Sequence, residues 1–354
     1  MTQTHDVRIK AKPIKLPKPK QILAESGLVL SEELKQQVIL HRQVIGDILT
    51  GNDKRLLVVL GPCSIHDEAG ALRYADWVVS MQEKFPNLFL VMRAMFEKPR
   101  TNLGWKGLMR QPNIIGPSDI PDGIRKCRAI ALKLLAKGLP IATETLSTII
   151  PQYFNDLLSY ATIGARSVTN TEHREIASIH SMPVGLKNPT SGNIKDAVDA
   201  VTVAISEHDE VLGIDEDGDA AQFLGSGNLF PHVVLRGGEK GPNYEREHIE
   251  EVVALLQKAG LPNGVVIDAS HGNTQLPDGA GGFKKDYMRQ VQVCLAVAHM
   301  RNHGEHHVRG VMIESYNKGG NQKITDDLSK LDPDVSVTDP CIPSNITESI
   351  LSNL

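Results

Sequence analysis

Residues 56–63 read LLVVLGPC, in which five apolar residues run straight into a glycine, a proline and a thiol. A continuous apolar run of this kind is typical of a parallel strand that is buried on both faces. Four later runs are built in the same way, and they end at Arg93, Arg166, Arg236 and Asp268. Because chemistry gathers at the carboxyl ends of parallel strands, the pattern predicts one site assembled from several strands.

Strands and helices are predicted to alternate from residue 56 onward. We predict strands near 56–61, 88–93, 141–145, 163–167, 184–187, 232–236, 265–269 and 310–315. We predict helices near 68–84, 122–138, 151–160, 173–180, 193–205, 245–259 and 284–303, with a closing helix over 345–354. Eight strands with helices between them favour an α/β fold, a (β/α)8 TIM barrel, over an open sheet.

Two segments depart from this alternation. Residues 1–50 are predicted to be an N-terminal extension, extended up to residue 30 and then helical over 31–49. Residues 211–224 hold two short strands around a Gly/Asp turn, which is the pattern of an inserted β-hairpin. The barrel with its hairpin then occupies residues 51–354.

Composition excludes several classes of protein. The 354 residues carry 38 Lys and Arg against 42 Asp and Glu, and 41% of them are hydrophobic, which is a globular profile. No basic block suggests nucleic-acid binding, and no run of about 20 apolar residues suggests a membrane span. The polar, basic start has no apolar core of a signal peptide, so we expect a cytoplasmic location.

Four side chains near predicted strand ends are candidate metal ligands: Cys63, His271, Glu314 and Asp339. They are far apart in sequence, and a single Cys or His is more often structural than a ligand. A barrel would nevertheless bring these strand ends together. A thiolate, an imidazole and two carboxylates suit a divalent transition metal such as Mn, Fe, Co or Zn.

Cations also follow the predicted strands, at Arg93, Lys98, Arg166, Lys187 and Arg236. They are either solvated rim charges or a cluster that binds an anion. Several cations directed into one cup would repel one another unless an anion lay between them, and the arginine fork favours phosphate or carboxylate oxygens. Residues 98–101, KPRT, add a second basic element, Lys106 is a possible substrate contact, and Glu144 either neutralises the cations or takes part in proton transfer.

Nine motifs together resemble one known family. They are GPCSIHD at 61–67, EKPRT at 97–101, GWKG at 104–107, IGAR at 163–166, HRE at 173–175, VGLKN at 184–188, LRGG at 235–238, DASH at 268–271 and IES at 313–315. The chain is similar to type I 3-deoxy-D-arabino-heptulosonate 7-phosphate (DAHP) synthase, also called phospho-2-dehydro-3-deoxyheptonate aldolase, from about residue 20 to the C-terminus. The resemblance implies a metal-dependent transferase on a (β/α)8 barrel, catalysing the first step of the shikimate pathway to the aromatic amino acids.

The resemblance also implies roles for individual residues. Cys63, His271, Glu314 and Asp339 would bind the divalent metal. The phosphoenolpyruvate site would comprise Arg93, Lys98, Arg166, Lys187 and Arg236, and erythrose 4-phosphate would contact Lys98, Pro99, Arg100 and Thr101. Lys187, Glu144, Arg93 and His271 are the catalytic candidates, with the division of proton transfer between Lys187 and Glu144 left open. The extension and hairpin would form an aromatic amino-acid effector site, in a homodimer or homotetramer.

Two departures from the family pattern and two alternatives remain. The hairpin turn reads GIDEDG at 213–218, where many members carry a lysine, and the loop 272–282 is unusually long and rich in glycine. The first alternative is the related 3-deoxy-octulosonate 8-phosphate synthase, which uses arabinose 5-phosphate, but that family has Asn in place of Pro99 and no long N-terminal extension. The second is a non-catalytic barrel that only senses an aromatic amino acid, in which we would expect lost ligands or cations.

Overall fold

A closed barrel of eight parallel strands forms the centre of the computed structural model, which describes residues 12–100, 103–279 and 282–354. The strands run in the order β1, β2, β3, β4, β5, β8, β9, β12, and β12 pairs with β1 to close the ring. The predicted (β/α)8 fold is confirmed. Thr101 lies outside the described residues.

The strands of the described residues are β1 (Leu56–Gly61), β2 (Leu88–Arg93), β3 (Ile141–Glu144), β4 (Tyr160–Ile163), β5 (Val184–Lys187), β6 (His208–Ile214), β7 (Ala220–Gly225), β8 (His232–Leu235), β9 (Val265–Asp268), β10 (Gln275–Pro277), β11 (Phe283–Lys285), β12 (Val308–Tyr316) and β13 (Ile342–Pro343). The helices are α1 (Pro19–Ala24), α2 (Glu32–Thr50), α3 (Glu68–Lys84), α4 (Ile120–Ala136), α5 (Thr171–Ser178), α6 (Ile194–Ile205), α7 (Arg246–Lys258), α8 (Gln290–Asn302) and α9 (Ser344–Leu351). Among these residues, none of the helices combines the length and the apolar character needed to cross a bilayer.

Strand β1 shows why the barrel forms where the apolar runs lie. All six of its residues are buried, and alternate side chains belong to two different cores. Leu57 and Val59 pack inside the barrel, whereas Val58 and Leu60 pack in the outer core that they share with helices such as α3 and α4. Because both faces are covered, the strand has no polar face, and its sequence is a continuous apolar run.

Helix α2 of the N-terminal extension is part of the inner core. Its Ile45 and Ile48 are fully buried and cluster with Leu57 and Val59 of β1. Gly46 allows this approach, because a Cβ atom there would lie only 2.6 Å from the ring of Phe230. The second half of the extension is therefore structurally continuous with the barrel.

Several elements differ from the prediction. Strand β4 ends at Ile163 instead of 167, so Arg166 lies in the following loop. The predicted helix at 151–160 is a single 3-10 turn, Ile150–Tyr153, and α8 begins at Gln290 rather than 284. The predicted extended N-terminus contains α1, which begins with a proline at a position where the missing N–H is not needed.

The predicted hairpin is confirmed as the antiparallel pair β6–β7, and it contacts the extension. The backbone N–H of Lys20 donates to the carbonyl of Glu216 at 2.9 Å, and the ammonium groups of Lys18 and Lys20 lie 3.0 and 2.5 Å from Asp217. Tyr153, in the loop after β3, donates its hydroxyl to the carbonyl of Pro17 at 2.7 Å. Residues 17–20 thus bridge the hairpin turn and the β3 loop.

Candidate active site

One polar cavity lies at the carboxyl ends of the barrel strands, and we call it the cup. Ten residues singled out from the sequence line it: Arg93, Lys98, Pro99, Arg100, Glu144, Arg166, Lys187, Arg236, His271 and Asp339. Lys106 is not in that lining, because the β2 loop turns back there and its backbone carbonyl accepts a hydrogen bond from the N–H of Lys98 at 2.9 Å. Most of the sequence candidates therefore share one site.

The four predicted metal ligands converge at this cup. Donor atoms of Cys63, Glu314 and Asp339 all lie within 4.8 Å of one another. The thiol of Cys63 is 3.4 Å from Oδ2 of Asp339, and Nε2 of His271 is 3.9 Å from Oε1 of Glu314. A soft thiol, an imidazole and two carboxylates on this scale fit a divalent transition metal.

The thiol of Cys63 is fully buried beside a lysine. Nζ of Lys98 donates to its Sγ at 2.9 Å and to its carbonyl oxygen at 3.2 Å. Burial, reinforced by the negative charge of Glu314, raises the pKa of Cys63 to about 11. The pKa of Lys98 is also raised, since Cys63 and the nearby carboxylates outweigh the cost of burying its charge. An ammonium group thus lies directly against a candidate ligand.

Glu314, at the end of β12, is a buried carboxylate held in place on every side. Nη2 of Arg93 donates to its Oε1 at 3.0 Å, and the hydroxyl of Ser270 donates to its Oε2 at 3.0 Å. The amide of Gln290 exchanges two hydrogen bonds with its backbone, of 2.7 and 3.1 Å. Burial opposes the charge of Glu314, but His271 and the neighbouring cations outweigh it and hold the pKa of this carboxyl below its usual value.

Asp268 joins the predicted metal ligands to the cations, although the sequence pattern marked it only as the end of an apolar run. Its Oδ2 lies 2.9 Å from Nζ of Lys187 and 2.9 Å from Nδ1 of His271. Its Oδ1 accepts from the backbone N–H of Ser270 at 3.0 Å. Burial opposes its ionisation, yet His271 and Lys187 hold the pKa of Asp268 well below its usual value. The signal in the sequence was a carboxylate ending an apolar run three residues before a histidine.

The remaining cations of the cup lie around Arg236. Its side chain is buried, which lowers its pKa, and the positive charge of Arg166 lowers it further. The amide oxygen of Asn188, just after β5, accepts from the backbone N–H of Arg236 at 2.9 Å and so positions this strand end. Two guanidinium groups that repel each other are a natural place for an anion.

Two glycines make room in the cup. A Cβ atom on Gly164 would overlap the carboxylate of Glu144, so the glycine of the IGAR motif leaves space for that side chain. Gly237 has φ +72°, and a Cβ there would collide with the backbone of Gly272. The loops after β8 and β9 therefore touch only because both glycines lack side chains.

Comparison with known proteins agrees with this geometry. The DAHP synthetase I family model matches residues 28–352. The chain is 40% identical over 351 residues to the Tyr-sensitive phospho-2-dehydro-3-deoxyheptonate aldolase of Salmonella typhimurium, covering 99% of this chain and 95% of the relative. It is 42% identical over 353 residues to the Phe-sensitive enzyme of Escherichia coli, covering 99% and 97%.

A solved structure shows the same fold over nearly the whole chain. It is the phospho-2-dehydro-3-deoxyheptonate aldolase of Francisella tularensis, with a TM-score of 0.91 and 38% identity, and the match covers 98% of this chain and 97% of that one. The barrel, the convergent donors and the near-complete sequence match lead to one conclusion. This chain belongs to the DAHP synthetase I family.

Proposed function

We propose that the cup is where this chain condenses phosphoenolpyruvate with D-erythrose 4-phosphate to form DAHP and phosphate. The observation that carries the proposal is the convergence of four metal-type donors and a cluster of cations in one cavity. Two phosphorylated reactants require more positive charge than a single anion does, and the lining supplies it. The reaction makes the chain a transferase, and the relatives are named as aldolases of the same product, phospho-2-dehydro-3-deoxyheptonate.

The metal site we propose consists of Cys63, His271, Glu314 and Asp339. A divalent cation bound there supplies Lewis acidity toward the aldehyde oxygen of the second substrate. Asp339 is the exposed member of the set and faces the cavity, whereas Cys63 and Glu314 are buried beneath it. The prediction for this site is a divalent ion of Mn, Fe, Co or Zn, with the choice among the four left open.

Phosphoenolpyruvate binds, in this proposal, to the cations around Arg236. Arg166, Lys187 and Arg236 hold its phosphate and carboxylate, and Arg93 and Lys98 approach from the metal side. Carbon 3 then forms a bond to the aldehyde carbon, water adds its oxygen at carbon 2, and the C–O bond to phosphate breaks. The cations offset negative charge on the oxygens while these bonds change. Lys187 and Glu144, which both line the cup, are the groups that exchange protons with the reactants.

The aldose phosphate binds, in this proposal, along Lys98, Pro99 and Arg100 of the cup lining. Nε of Arg100 donates to the carbonyl of Trp105 at 2.9 Å, which holds the guanidinium at the rim. The direct test of the proposed function is product formation with purified enzyme and metal, comparing erythrose 4-phosphate with arabinose 5-phosphate. Turnover with the first sugar only supports the proposal, and faster turnover with the second contradicts it.

Replacing Arg236 with alanine tests the phosphoenolpyruvate site. We expect the KM for phosphoenolpyruvate to rise roughly tenfold to a hundredfold, since hydrogen bonds to charged groups contribute ~1.5–3 kcal/mol. The KM for erythrose 4-phosphate should stay within about twofold of the wild type, which steady-state kinetics with each substrate varied in turn will show. An unchanged KM for phosphoenolpyruvate together with an unchanged rate would remove Arg236 from the site.

Aromatic feedback is the proposed regulation, and the bridge of residues 17–20 is its proposed route. These residues touch both the hairpin turn and the β3 loop, and β3 itself ends at Glu144 in the cup. The turn carries an aspartate here, and the lysines that pair with it come from the extension. The negative charge of this contact is therefore on the hairpin turn and the positive charges are on the extension, whereas a lysine in the turn would place a positive charge there.

Replacing both Lys18 and Lys20 with alanine tests this route. We expect one of Phe, Tyr and Trp to inhibit the wild type, and the double variant to need a several-fold higher concentration of it while uninhibited turnover stays unchanged. Replacing Lys12 and Lys15 in the same way is the matched control, because no described contact joins these two lysines to the hairpin. Equal inhibition of all three proteins would contradict the role of the bridge.

The cytoplasmic location and the dimeric or tetrameric state also stay predictions.

A further inference from the structure

The described residues after His271 include a ribbon of two short strands, β10 and β11. Strands β10 and β11 pair antiparallel, with Gln275 opposite Lys285, Leu276 opposite Lys284 and Pro277 opposite Phe283. Successive side chains of a strand point to opposite faces. Phe283 and Lys285 therefore share one face of the ribbon, and Lys284 points from the other.

The face with Phe283 and Lys285 is turned toward the barrel rim. A Cβ atom on Gly241, in the loop after β8, would lie 3.4 Å from the ring of Phe283, so the ring packs on that loop. Lys285 lines the cup together with Arg100, whereas Lys284 does not. The alternation of the strand thus separates two neighbouring lysines into one that reaches the cup and one that does not.

The base of the ribbon is tied to the loop that carries a metal ligand. The hydroxyl of Thr274 donates to the carbonyl of His271 at 2.8 Å, and the backbone N–H of Asp286 donates to the carbonyl of Thr274 at 3.1 Å. These bonds hold the residue next to Lys285 close to the turn at His271. The position of Lys285 is therefore set by the same short segment that positions the metal ligand.

Lys285 also differs in charge balance from the deeper cations. Lys187 pairs with Asp268 at 2.9 Å, and Arg93 pairs with Glu314 at 3.0 Å. Within the described part of the chain, by contrast, no carboxylate oxygen lies within 4.0 Å of the Lys285 ammonium group. An exposed, uncompensated ammonium at the cup leaves its charge available to an incoming anion.

We propose that Lys285 binds the phosphate group of the aldose phosphate, opposite Arg100, and so helps to select a phosphorylated sugar. This assignment rests on the proposed function, because it takes the cations around Arg236 to be occupied by phosphoenolpyruvate. The second phosphate then belongs at the mouth of the cup, where Arg100 and Lys285 both contribute to the lining. A lysine there acts as a point charge and hydrogen-bond donor toward phosphate oxygens.

Steady-state kinetics of Lys285→Ala, with Lys284→Ala as the matched control, test the assignment. We expect the KM for erythrose 4-phosphate to rise about tenfold in Lys285→Ala, the size of one lost charge-assisted hydrogen bond, while kcat and the KM for phosphoenolpyruvate stay within about twofold. Lys284→Ala should match the wild type, and Lys285→Arg should recover most of the lost affinity. Equal behaviour of the two alanine variants, or an equal rise of both KM values, would overturn the assignment.

Equilibrium binding separates this assignment from the proposed function. Erythrose 4-phosphate is titrated into the full chain by calorimetry in the presence of phosphoenolpyruvate. EDTA is added to chelate the metal, so that the substrates do not react during the titration. We expect Lys285→Ala to bind the sugar about tenfold more weakly than wild type and Lys284→Ala to bind it equally well. If the wild type failed to make DAHP, the proposed function would be wrong. The titration would still show whether Lys285 contributes to binding of the sugar phosphate. Equal dissociation constants for wild type and Lys285→Ala would refute the assignment of Lys285 to the sugar phosphate.

Discussion

Replacing His271 with alanine is expected to lower turnover roughly a thousandfold and to weaken metal binding. The imidazole has one nitrogen 3.9 Å from Glu314 and the other 2.9 Å from Asp268, so its loss removes a donor without removing its carboxylate neighbours. Lewis-acid stabilisation of a carbonyl is worth several kcal/mol, and each ~1.4 kcal/mol is tenfold in rate. Metal content and turnover of the purified variant, measured across a range of added divalent metal, will check both expectations.

His248 provides the control for this variant. It lies in the second group of the described residues with metal-type donors, formed with Glu245 and Glu247 at the start of α7. The two glutamates are exposed, His248 is half-buried, and none of the three lines the cup. His248→Ala should keep both the metal content and the turnover of the wild type. Full activity of His271→Ala would remove the imidazole from the ligand set. Loss of the metal in His248→Ala instead would show that the ion binds at Glu245, Glu247 and His248, which would contradict our assignment of the metal site.

Replacing Asp268 with asparagine is expected to have the second-largest effect. The carboxylate contacts both His271, a proposed metal ligand, and Lys187, a lysine of the proposed phosphoenolpyruvate site. The change should therefore weaken two binding events rather than one. Losing a carboxylate behind a histidine ligand typically costs 10–100-fold in metal affinity or activity. In addition, the buried ammonium of Lys187 would lose its counter-charge, which is unfavourable in a low-dielectric interior.

Two titrations distinguish this linked role from a purely local one. We expect the affinity for a divalent metal and the affinity for phosphoenolpyruvate both to fall by about tenfold or more in Asp268→Asn, measured separately by calorimetry with thermal unfolding followed alongside. A variant that binds metal normally and phosphoenolpyruvate weakly would restrict Asp268 to Lys187. Wild-type affinity for both would show that the carboxylate contributes nothing to the site beyond its packing.

Much of the site could be predicted because strand ends are visible in a sequence. Arg93, Lys187 and Arg236 directly end or follow apolar runs, and the barrel brings the carboxyl ends of such runs to one rim. Arg166 was found for the right reason but assigned to the wrong element, since β4 ends at Ile163 and the arginine is carried by the loop beyond it. Lys106 does not line the cup, because the β2 loop turns back there, and its contact with a substrate stays a prediction.

The residues that were missed are those whose partners are distant in the chain. Asp268 acquires its place from Lys187, which is 81 residues away, and no local pattern contains that pairing. Lys285 was predicted to lie at the start of a helix over 284–303, whereas it stands in β11, which pairs with β10. Only the register of that ribbon distinguishes Lys285 from Lys284.

The sequence by itself determined the alternation of buried strands and helices and the chemical character of the strand ends. Both are local, because burial on two faces demands a continuous apolar run and a strand end demands a break in it. Tertiary structure alone decided which donors meet, which carboxylate lies between a histidine and a lysine, and which of two adjacent lysines enters the cup. Those outcomes depend on barrel closure, loop path and strand register, which are set by contacts between segments far apart in the chain.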